Sequence, residues 1–272
     1  MPIEIKSPRE IEMMRKAGLL AWRILQKMKA AAVAGVTTGE LDALAGVELE
    51  RARAVSGSRF YPTYNPGEGF PGYTCVSVNE EVVHGIPGPR VLREGDLVTL
   101  DLALSLDGYC VDTAITVAIG TVGPRARKLL EVTRETLELA IANMRPGRKW
   151  SDIARLMQWN VEAAGFNVVR EFVGHGVGRS MHEDPKVPNF VTAEQLRSDF
   201  RLVPGTTLAV EPMVVMGKRD VEMLKDGWTV VTRDRLPAAH FEHTVAVTEN
   251  GAVVLTSGAG SGECADESGT PQ

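Results

Sequence analysis

The chain has 272 residues and a formal net charge of −5 at pH 7, and 44% of its residues are hydrophobic. That length allows a sizeable buried core, while the charge gives no extended basic surface for nucleic acid. The sequence has neither a membrane-length apolar run nor an apolar signal core, so we expect a cytoplasmic protein without membrane contact. Its three cysteines lack CxxC spacing, which argues against a disulfide framework and a structural zinc site.

The first half begins with two predicted helices. The sequence SPRE at 7–10 is a capping box with proline at the first helical position, and Gly35 is expected to close that helix. The sequence TTGE at 37–40 caps the second helix in the same way. The apolar stripes predicted for the two helices are Ile11, Met14, Trp22, Leu25 and Met28 on the first, and Leu41, Leu44, Val47 and Leu49 on the second. There follow a stretch rich in proline and glycine (Tyr61–Gly69), a predicted strand (Thr74–Val78) and a loop that holds His84.

Alternating apolar residues on both sides of an Asp-Gly dipeptide predict a β-hairpin in LVTLDLALSLDGYCVDTAITVAIG, residues 97–120. A two-residue turn fixes the register, so Asp101 lies opposite Ala114 and Asp112 is its diagonal neighbour on the same face. Two solvated acids on an exposed face would have more charged and bulky polar neighbours. We therefore interpret this face as buried, where a shared cation or a shared proton relieves the repulsion between the carboxylates.

The second half repeats the plan of the first. Its predicted elements are helices at Leu129–Met144 and Ser151–Ala164 and strands at Asn167–Val173 and Phe241–Val247. Glu211 follows a glycine by six residues, as Asp101 does, and Glu242 occupies the strand position that matches Asp112. This pattern predicts an internal duplication of about residues 7–120 and 125–250 that brings the four acids together. The tail at 257–272 has no apolar pattern and is predicted to be disordered.

Four buried carboxylates carry about four negative charges, which two divalent cations neutralise. An oxygen-rich site with one imidazole suits Mn, Fe(II) or Co. His175 lies between two glycines, and His182 follows it by seven residues in GHGVGRSMHEDP. Alone, that segment could be a turn with two exposed histidines; beside four acids we interpret it as part of the same site. His243 is expected to point away from Glu242, into the core or the outer face of the sheet.

The segments NEEVVHGIP, LVTLDLALSLDGYCVDT, GHGVGRSMHEDP, LAVEPM and FEHTVAVTENG resemble, in this order and spacing, the type I methionine aminopeptidases. The resemblance covers about Ile3 to Leu255. It implies an α+β pita-bread fold, in which two halves related by a pseudo-two-fold axis place antiparallel sheet inside and helices outside. A single catalytic domain at 1–256 and a dinuclear metal site follow from the same resemblance.

Seven positions match functional residues of that family. The implied metal ligands are Asp101, Asp112, His175, Glu211 and Glu242, of which Asp112 and Glu242 bridge the ions. His84 and His182 match histidines that contact the substrate without holding metal. The implied cofactors are two divalent ions, chosen from Co, Mn and Fe(II), with Zn or Ni as further possibilities.

The resemblance implies that metal-activated water hydrolyses the first peptide bond of a peptide or nascent chain. Glu211 would move the proton, and His182 with His84 would hydrogen-bond to the carbonyl oxygen or the leaving amide. The positions that match the methionine pocket are Phe70, Cys75, Met181 and Trp228, whose sulfur atoms and aromatic rings suit a thioether. Val111 replaces a glycine that is usual in the family, and because its side chain should point to the outer face, we expect unchanged ligation.

Two other functions stay open from the sequence. Prolidases and Xaa-Pro aminopeptidases share the fold and the five ligands but usually carry an additional N-terminal domain, for which a helix starting at Ser7 leaves no room. Other pita-bread proteins have lost ligands and serve as binding modules, which the complete ligand set here disfavours. We expect a monomer that acts on peptide N-termini, with transient ribosome association as a further expectation.

Overall fold

The computed structural model describes residues 3–62 and 69–258. Its helices are α1 (Pro8–Ala31), α2 (Thr38–Ala52), α3 (Pro124–Asn143), α4 (Trp150–Ala163) and α5 (Ala193–Arg197). Its strands in the first half are β1 (Val55–Ser56), β2 (Cys75–Val78), β3 (Glu81–Val83), β4 (Leu97–Leu106) and β5 (Tyr109–Ala118). Those in the second half are β6 (Asn167–Val168), β7 (Gly174–Gly176), β8 (Glu183–Val187), β9 (Thr207–Val210), β10 (Met213–Val215), β11 (Val221–Met223), β12 (Val230–Thr232), β13 (Ala238–His240), β14 (Glu242–Thr248) and β15 (Gly251–Val254).

The two N-terminal helices begin where the sequence predicts. The side chains of Ser7 and Thr37 each accept a hydrogen bond from the backbone of the glutamate three residues later, and each glutamate accepts one in return. These reciprocal bonds satisfy backbone groups that the first helical turn leaves unpaired. The third helix begins earlier than predicted, because Pro124 after Gly123 occupies its first turn.

Two further expectations are wrong in detail. Val47 is 47% exposed, because the buried face of α2 is formed by Leu41, Ala45 and Leu49 at four-residue spacing, and Val47 lies about half a turn away. The strand predicted at Asn167–Val173 stops at Val168. It stops because β6 pairs with β10 in a small three-stranded sheet, whereas β7 pairs with β9 in the main sheet, so the chain crosses between the two.

The main sheet has nine strands in the order β1-β4-β5-β14-β9-β7-β8, with β2 on β4 and β15 on β14. Its strand pairs in the described residues are antiparallel, and the β4–β5 register is the predicted one, with Asp101 opposite Ala114. The hairpin closes through Leu106 and Tyr109, around a turn in which Asp107 and Gly108 both adopt positive φ.

Two helix pairs cover the outer face of this sheet. Helices α1 and α2 pack on Val98, Leu100 and Val111 of the β4–β5 hairpin. Helices α3 and α4 pack on Leu208 of β9 and Val245 of β14. The opposite face of the same strands carries the polar residues, so the inner side of the sheet is left for the site. None of the helices in the described ranges is long and apolar enough to cross a bilayer.

Candidate metal centre and substrate pocket

Residues that pair across neighbouring strands form rows that run across the main sheet. Two such rows bring the predicted ligands onto one face. In one row, Ala114 of β5 pairs with Asp101 on one side and with Glu242 on the other. In the adjacent row, the backbone N–H of Asp112 donates to the Thr244 hydroxyl (2.8 Å), and Ala209 pairs with both Thr244 and His175. Because alternate residues of a strand share a face, both rows point their side chains to the same side.

The ligand atoms of this face lie close together. Candidate atoms of Asp112, His175 and Glu242 all lie within 4.8 Å of one another. The Nε2 atom of His175 is 3.9 Å from Asp112 Oδ2 and 3.7 Å from Glu211 Oε1. Asp101 completes the group around a cavity of about 140 Å³. The structure therefore brings together all five residues that the sequence indicates as ligands.

The carboxylates repel one another in a buried place. Burial raises the pKa of Asp112 to about 7. Burial also raises the pKa of Asp101 well above its usual range, and the Asp112 charge raises it further. For Glu211 and Glu242, burial and the neighbouring acids raise the pKa in the same way. Without a cation, ionising all four together would be costly in this site.

His175 has the protonation pattern of a ligand. Its Nδ1 lies 2.9 Å from the carbonyl oxygen of Gly176, which can only accept, so Nδ1 carries the hydrogen. The lone pair is thereby left on Nε2, the atom that faces Asp112 and Glu211. Burial, helped by His182, lowers the pKa of His175 to about 4 and keeps the ring neutral.

These residues fit a pair of divalent metal ions. Four carboxylates with raised pKa values supply oxygen ligands and negative charge, and His175 supplies one nitrogen. The Oε1 atom of Glu242 is buried and lacks a hydrogen-bond partner among the described residues, as expected of an atom that binds an ion. Mostly oxygen ligands with one imidazole are typical of first-row divalent metal sites.

A second cavity, of about 170 Å³, opens onto the same acids. The four residues predicted for the methionine pocket all line it: Phe70, Cys75, Met181 and Trp228. The Phe70 and Trp228 rings meet edge to face at 5.2 Å, and Cys75 is the cross-strand partner of Asp101. A larger cavity of about 400 Å³ lies beside α4 and α5 and contains none of the predicted site residues.

Both histidines that are predicted to contact the substrate, His84 and His182, line the two cavities. His84 has a positive φ of 58°, and its ring contacts Phe172 and Trp228 edge to face. Burial, with the neighbouring His182, lowers the pKa of His84 to about 4. The ring of His182 lies 4.2 Å from that of His175, and burial lowers its pKa as well.

Three residues of the site were not predicted from the sequence. The hydroxyl of Tyr61 lies 3.0 Å from Nδ1 of His182. Gly57 lines the apolar cavity, where a Cβ atom would come within 2.4 Å of Met181 Cε. His240, noted in the sequence only as a neighbour of Glu242, lines the metal cavity. Residues 63–68 of the stretch expected to shape the pocket lie outside the described residues.

His243 points away from the acids, as expected. Its Nδ1 lies 2.9 Å from the hydroxyl of Thr256, which lies beyond β15 in the chain. Burial lowers the pKa of His243 to about 4. His243 therefore points to the outer face of the main sheet, whereas His240, in the separate sheet formed with β10, lines the metal cavity.

Residues 12–249 match the family model for metallopeptidase family M24. The chain belongs to metallopeptidase family M24. Methionine aminopeptidase 1 of Bacillus subtilis is 44% identical over 251 residues, which cover 92% of this chain and 98% of that protein. Methionine aminopeptidase of Escherichia coli is 40% identical over 258 residues, which cover 94% of each chain.

Solved structures of M24 enzymes have the same fold. The methionine aminopeptidase from Thermotoga maritima superposes with a TM-score of 0.88 at 42% identity, covering 94% of this chain and 99% of that one. The prolidase from Pyrococcus horikoshii has a TM-score of 0.71 at 19% identity and is covered over 63% of its length, which shows a shared fold alone. The predicted pita-bread fold is therefore confirmed, and the M24 chain has the acid and histidine cluster of a metal-dependent peptidase.

Proposed function

We propose that this M24 metallopeptidase is a methionine aminopeptidase that removes the initiator methionine from polypeptides whose second residue is small. The observation that carries the proposal is the junction of the two cavities, because the apolar pocket shares Asp101 and Asp112 with the metal cavity. A thioether fits a pocket that combines the Cys75 thiol, the Met181 thioether and two aromatic rings.

The metal centre in this proposal holds two divalent ions. Asp101, Asp112, His175, Glu211 and Glu242 would be the ligands. Mn, Fe(II) and Co suit this donor set best, and Zn or Ni are also compatible with it. When bound, such ions supply a nucleophilic water at neutral pH and polarise the scissile carbonyl group.

The remaining steps depend on the chain's own groups. Glu211 accepts the proton of the attacking water and passes it to the leaving nitrogen, a role open to an ionised carboxylate that lines the cavity where the peptide bond would be held. His182 and His84 donate hydrogen bonds to the carbonyl oxygen or the leaving amide, which stabilises the developing negative charge. Both rings lie at the junction of the cavities, within reach of a peptide bond held there.

The acids also account for action at a chain end. Asp101 and Asp112 line the apolar pocket as well as the metal cavity. When a methionine side chain fills the pocket, its α-amino group therefore lies beside these two carboxylates. A free N-terminus would therefore place its amino group beside the metal centre, whereas an internal peptide bond has no free amine to place there.

The direct test uses a Met-Ala-Ser peptide and the Mn²⁺-loaded protein. We expect methionine release, and we expect Asp112→Asn to lower kcat/KM by at least about a hundredfold, because it removes a charge that neutralises both ions. A matched change on an exposed turn residue, Asp107→Asn, should leave kcat/KM unchanged. Full activity of Asp112→Asn, or no methionine release with Mn²⁺, Fe²⁺ or Co²⁺, would contradict the proposal.

Substrate comparison separates this function from that of a prolidase. We expect Met-Ala-Ser to be cleaved well, Met-Lys-Ser poorly and Ala-Pro not at all. Faster cleavage of Ala-Pro would instead assign the chain to the proline-specific branch of the family. Metal analysis that finds no bound ion, together with no cleavage of any of these peptides, would favour a binding module.

The cellular setting completes the proposal. Residues 1–256 form one catalytic unit that works as a monomer in the cytoplasm on nascent-chain N-termini, with transient ribosome association. The tail predicted to be disordered lies outside the described residues from position 259 onwards.

A further inference from the structure

His240 lies at the metal centre with an unpaired ring. Its backbone is fixed at the end of β13, where its N–H donates to the Thr116 hydroxyl and its carbonyl oxygen accepts from the same hydroxyl, both at 2.8 Å. The residue is 2% exposed. Neither Nδ1 nor Nε2 has a hydrogen-bond partner in the part of the chain that the structure describes.

The ring faces two of the candidate ligands. Its Nε2 atom lies 3.8 Å from Oε2 of Glu211 and 4.0 Å from Oε2 of Glu242. The other oxygen of Glu211, Oε1, lies 3.7 Å from Nε2 of His175. The carboxylate of Glu211 is therefore placed between two imidazoles, each facing a different oxygen atom.

A buried imidazole without partners is costly. Leaving a polar group buried and unsatisfied costs about 1–3 kcal/mol, which an apolar side chain at this position would avoid. The position next to Glu211 and Glu242 offers a use for the ring, since a neutral imidazole can donate one N–H to a carboxylate. The separation of 3.8 Å is too short to hold a water molecule between the groups, and a movement of about 0.8 Å closes it to a direct hydrogen bond.

The ring is placed to act as a donor to Glu211. Its Nε2 atom faces Oε2 of that carboxylate, while His175 supplies the imidazole of the compact group whose ligand atoms all lie within 4.8 Å of one another. Carboxylates that bind metal are commonly held by hydrogen bonds from outside the coordination shell, and these bonds orient them and tune the affinity.

We propose that His240 is a positioning residue. It donates its Nε2–H to the Glu211 carboxylate, which lies between His240 and His175, and so orients that carboxylate to bind a metal ion. The inference rests on the metal centre of the proposed function. It assigns His240 a role in metal affinity that does not require contact with the ion or the substrate.

The test is Mn²⁺ binding by the full chain, measured by isothermal titration calorimetry on metal-free protein. We expect His240→Leu to weaken binding by about ten- to a hundredfold, because it removes the donor. His240→Gln keeps an N–H at a similar distance and should bind within about threefold of the unmodified protein. His243→Leu is the matched control, since the same change on the opposite face should leave Mn²⁺ affinity unchanged even where it lowers Tm.

A spectroscopic measurement on the unmodified protein covers the case in which the leucine variant does not fold. Pulsed electron paramagnetic resonance of bound Mn²⁺ should show coupling to one directly bound imidazole. Two bound imidazoles would overturn the positioning role and make His240 a ligand. Equal Mn²⁺ affinity of folded His240→Leu and unmodified protein would overturn the inference alone, whereas failure of the unmodified protein to bind Mn²⁺ would overturn the proposed function with it.

Discussion

Tyr61 contacts His182, one of the two histidines proposed to hydrogen-bond to the substrate. Its hydroxyl lies 3.0 Å from Nδ1, and the two rings meet edge to face at 5.3 Å. A phenol that donates to Nδ1 leaves the hydrogen on Nε2, so that Nε2 can donate to a carbonyl oxygen. Tyr61 therefore acts on the reaction through His182, in the manner of the group that orients a catalytic histidine.

Replacing this hydroxyl tests its contribution. We expect Tyr61→Phe to lower kcat/KM on Met-Ala-Ser by about three- to tenfold, the range that corresponds to one neutral hydrogen bond. The ring contact with His182 stays, so folding should be unaffected. Tyr73→Phe is the control, because it removes a hydroxyl that contacts Glu50 on α2 instead. If both variants have unchanged kcat/KM, Tyr61 does not orient His182.

How far the sequence predicts the site differs from residue to residue. Asp101 and Asp112 are predictable because a two-residue turn fixes the register of the hairpin that bears them. The glycines around His175 are predictable for a reason that the structure confirms: a Cβ on Gly174 would lie 2.3 Å from the Ala209 oxygen, and one on Gly176 would lie 2.3 Å from the Asp184 oxygen.

Other site residues leave no such signal. Tyr61 belongs to an irregular segment without apolar periodicity, so the sequence alone does not show where its hydroxyl points. His240 reaches the site because β13 pairs with β10 in a separate small sheet, a partner far away in the chain. Pairing of this kind depends on tertiary packing, which the local pattern does not encode.

At the scale of elements, the two faces of the β4–β5 hairpin have different roles: one carries the candidate ligands and the other packs into the core. One of its faces carries Asp101 and Asp112, and the other packs Leu100, Leu102 and Val111 beneath α1 and α2. Val111, which stands where glycine is usual in the family, is fully buried on the helix side. The side chain therefore fills core volume and does not reach the ligands.

Shortening Val111 should affect only the core. We expect Val111→Ala to lower the free energy of unfolding by about 1–3 kcal/mol, from lost burial and the cavity left behind. Mn²⁺ affinity and kcat/KM should stay within about twofold of the unmodified protein. Val253→Ala, on the exposed edge strand β15, is the matched control and should cost much less. Chemical denaturation provides the measurement, and a loss of Mn²⁺ affinity in Val111→Ala would show that the two faces are not independent.

The helices also show where local signals suffice. The capping boxes at Ser7 and Thr37 determine both helix starts, since each satisfies backbone groups within four residues of chain. By contrast, the end of β6 at Val168 depends on where β10 stops pairing and β7 joins the main sheet. Predictions that rest on contacts within one turn of chain are therefore accurate here, and predictions of strand extent are less so.

On the scale of the whole molecule, the fold concentrates titratable groups on the covered inner side of one sheet. Two helix pairs shield the outer face, and the four acids and four of the histidines line the inner cavities. A protein organised in this way should depend on bound cations for stability, because the ions offset the repulsion that folding creates.

The pH dependence of the metal-free protein follows from the signs of the pKa shifts. Asp101, Glu211 and Glu242 have a pKa raised well above the usual range, and Asp112 has a pKa of about 7. In the folded state these groups keep protons that the unfolded chain releases above a pH of about 4.5, so stability falls as pH rises. The buried histidines have lowered pKa values and oppose this trend, but only below a pH of about 6.5, where the unfolded chain takes up protons.

Above that pH the acids set the trend, and the buried thiols of Cys75 and Cys110, whose pKa burial also raises, act in the same direction. Between pH 6.5 and pH 8.5 we expect the Tm of metal-free protein in EDTA to fall. The free energy of unfolding should decrease by about 1.4 kcal/mol per pH unit for each proton that the folded state retains and the unfolded chain releases. Protein saturated with Mn²⁺ should show no such fall, because its acids stay ionised in the folded state. Thermal melts followed by circular dichroism provide the comparison. In metal-free Asp101→Asn we expect stability to fall less steeply with pH, because one of the retained protons is absent. A flat Tm for the metal-free protein would mean that these carboxylates ionise at ordinary pH and do not need cations to coexist.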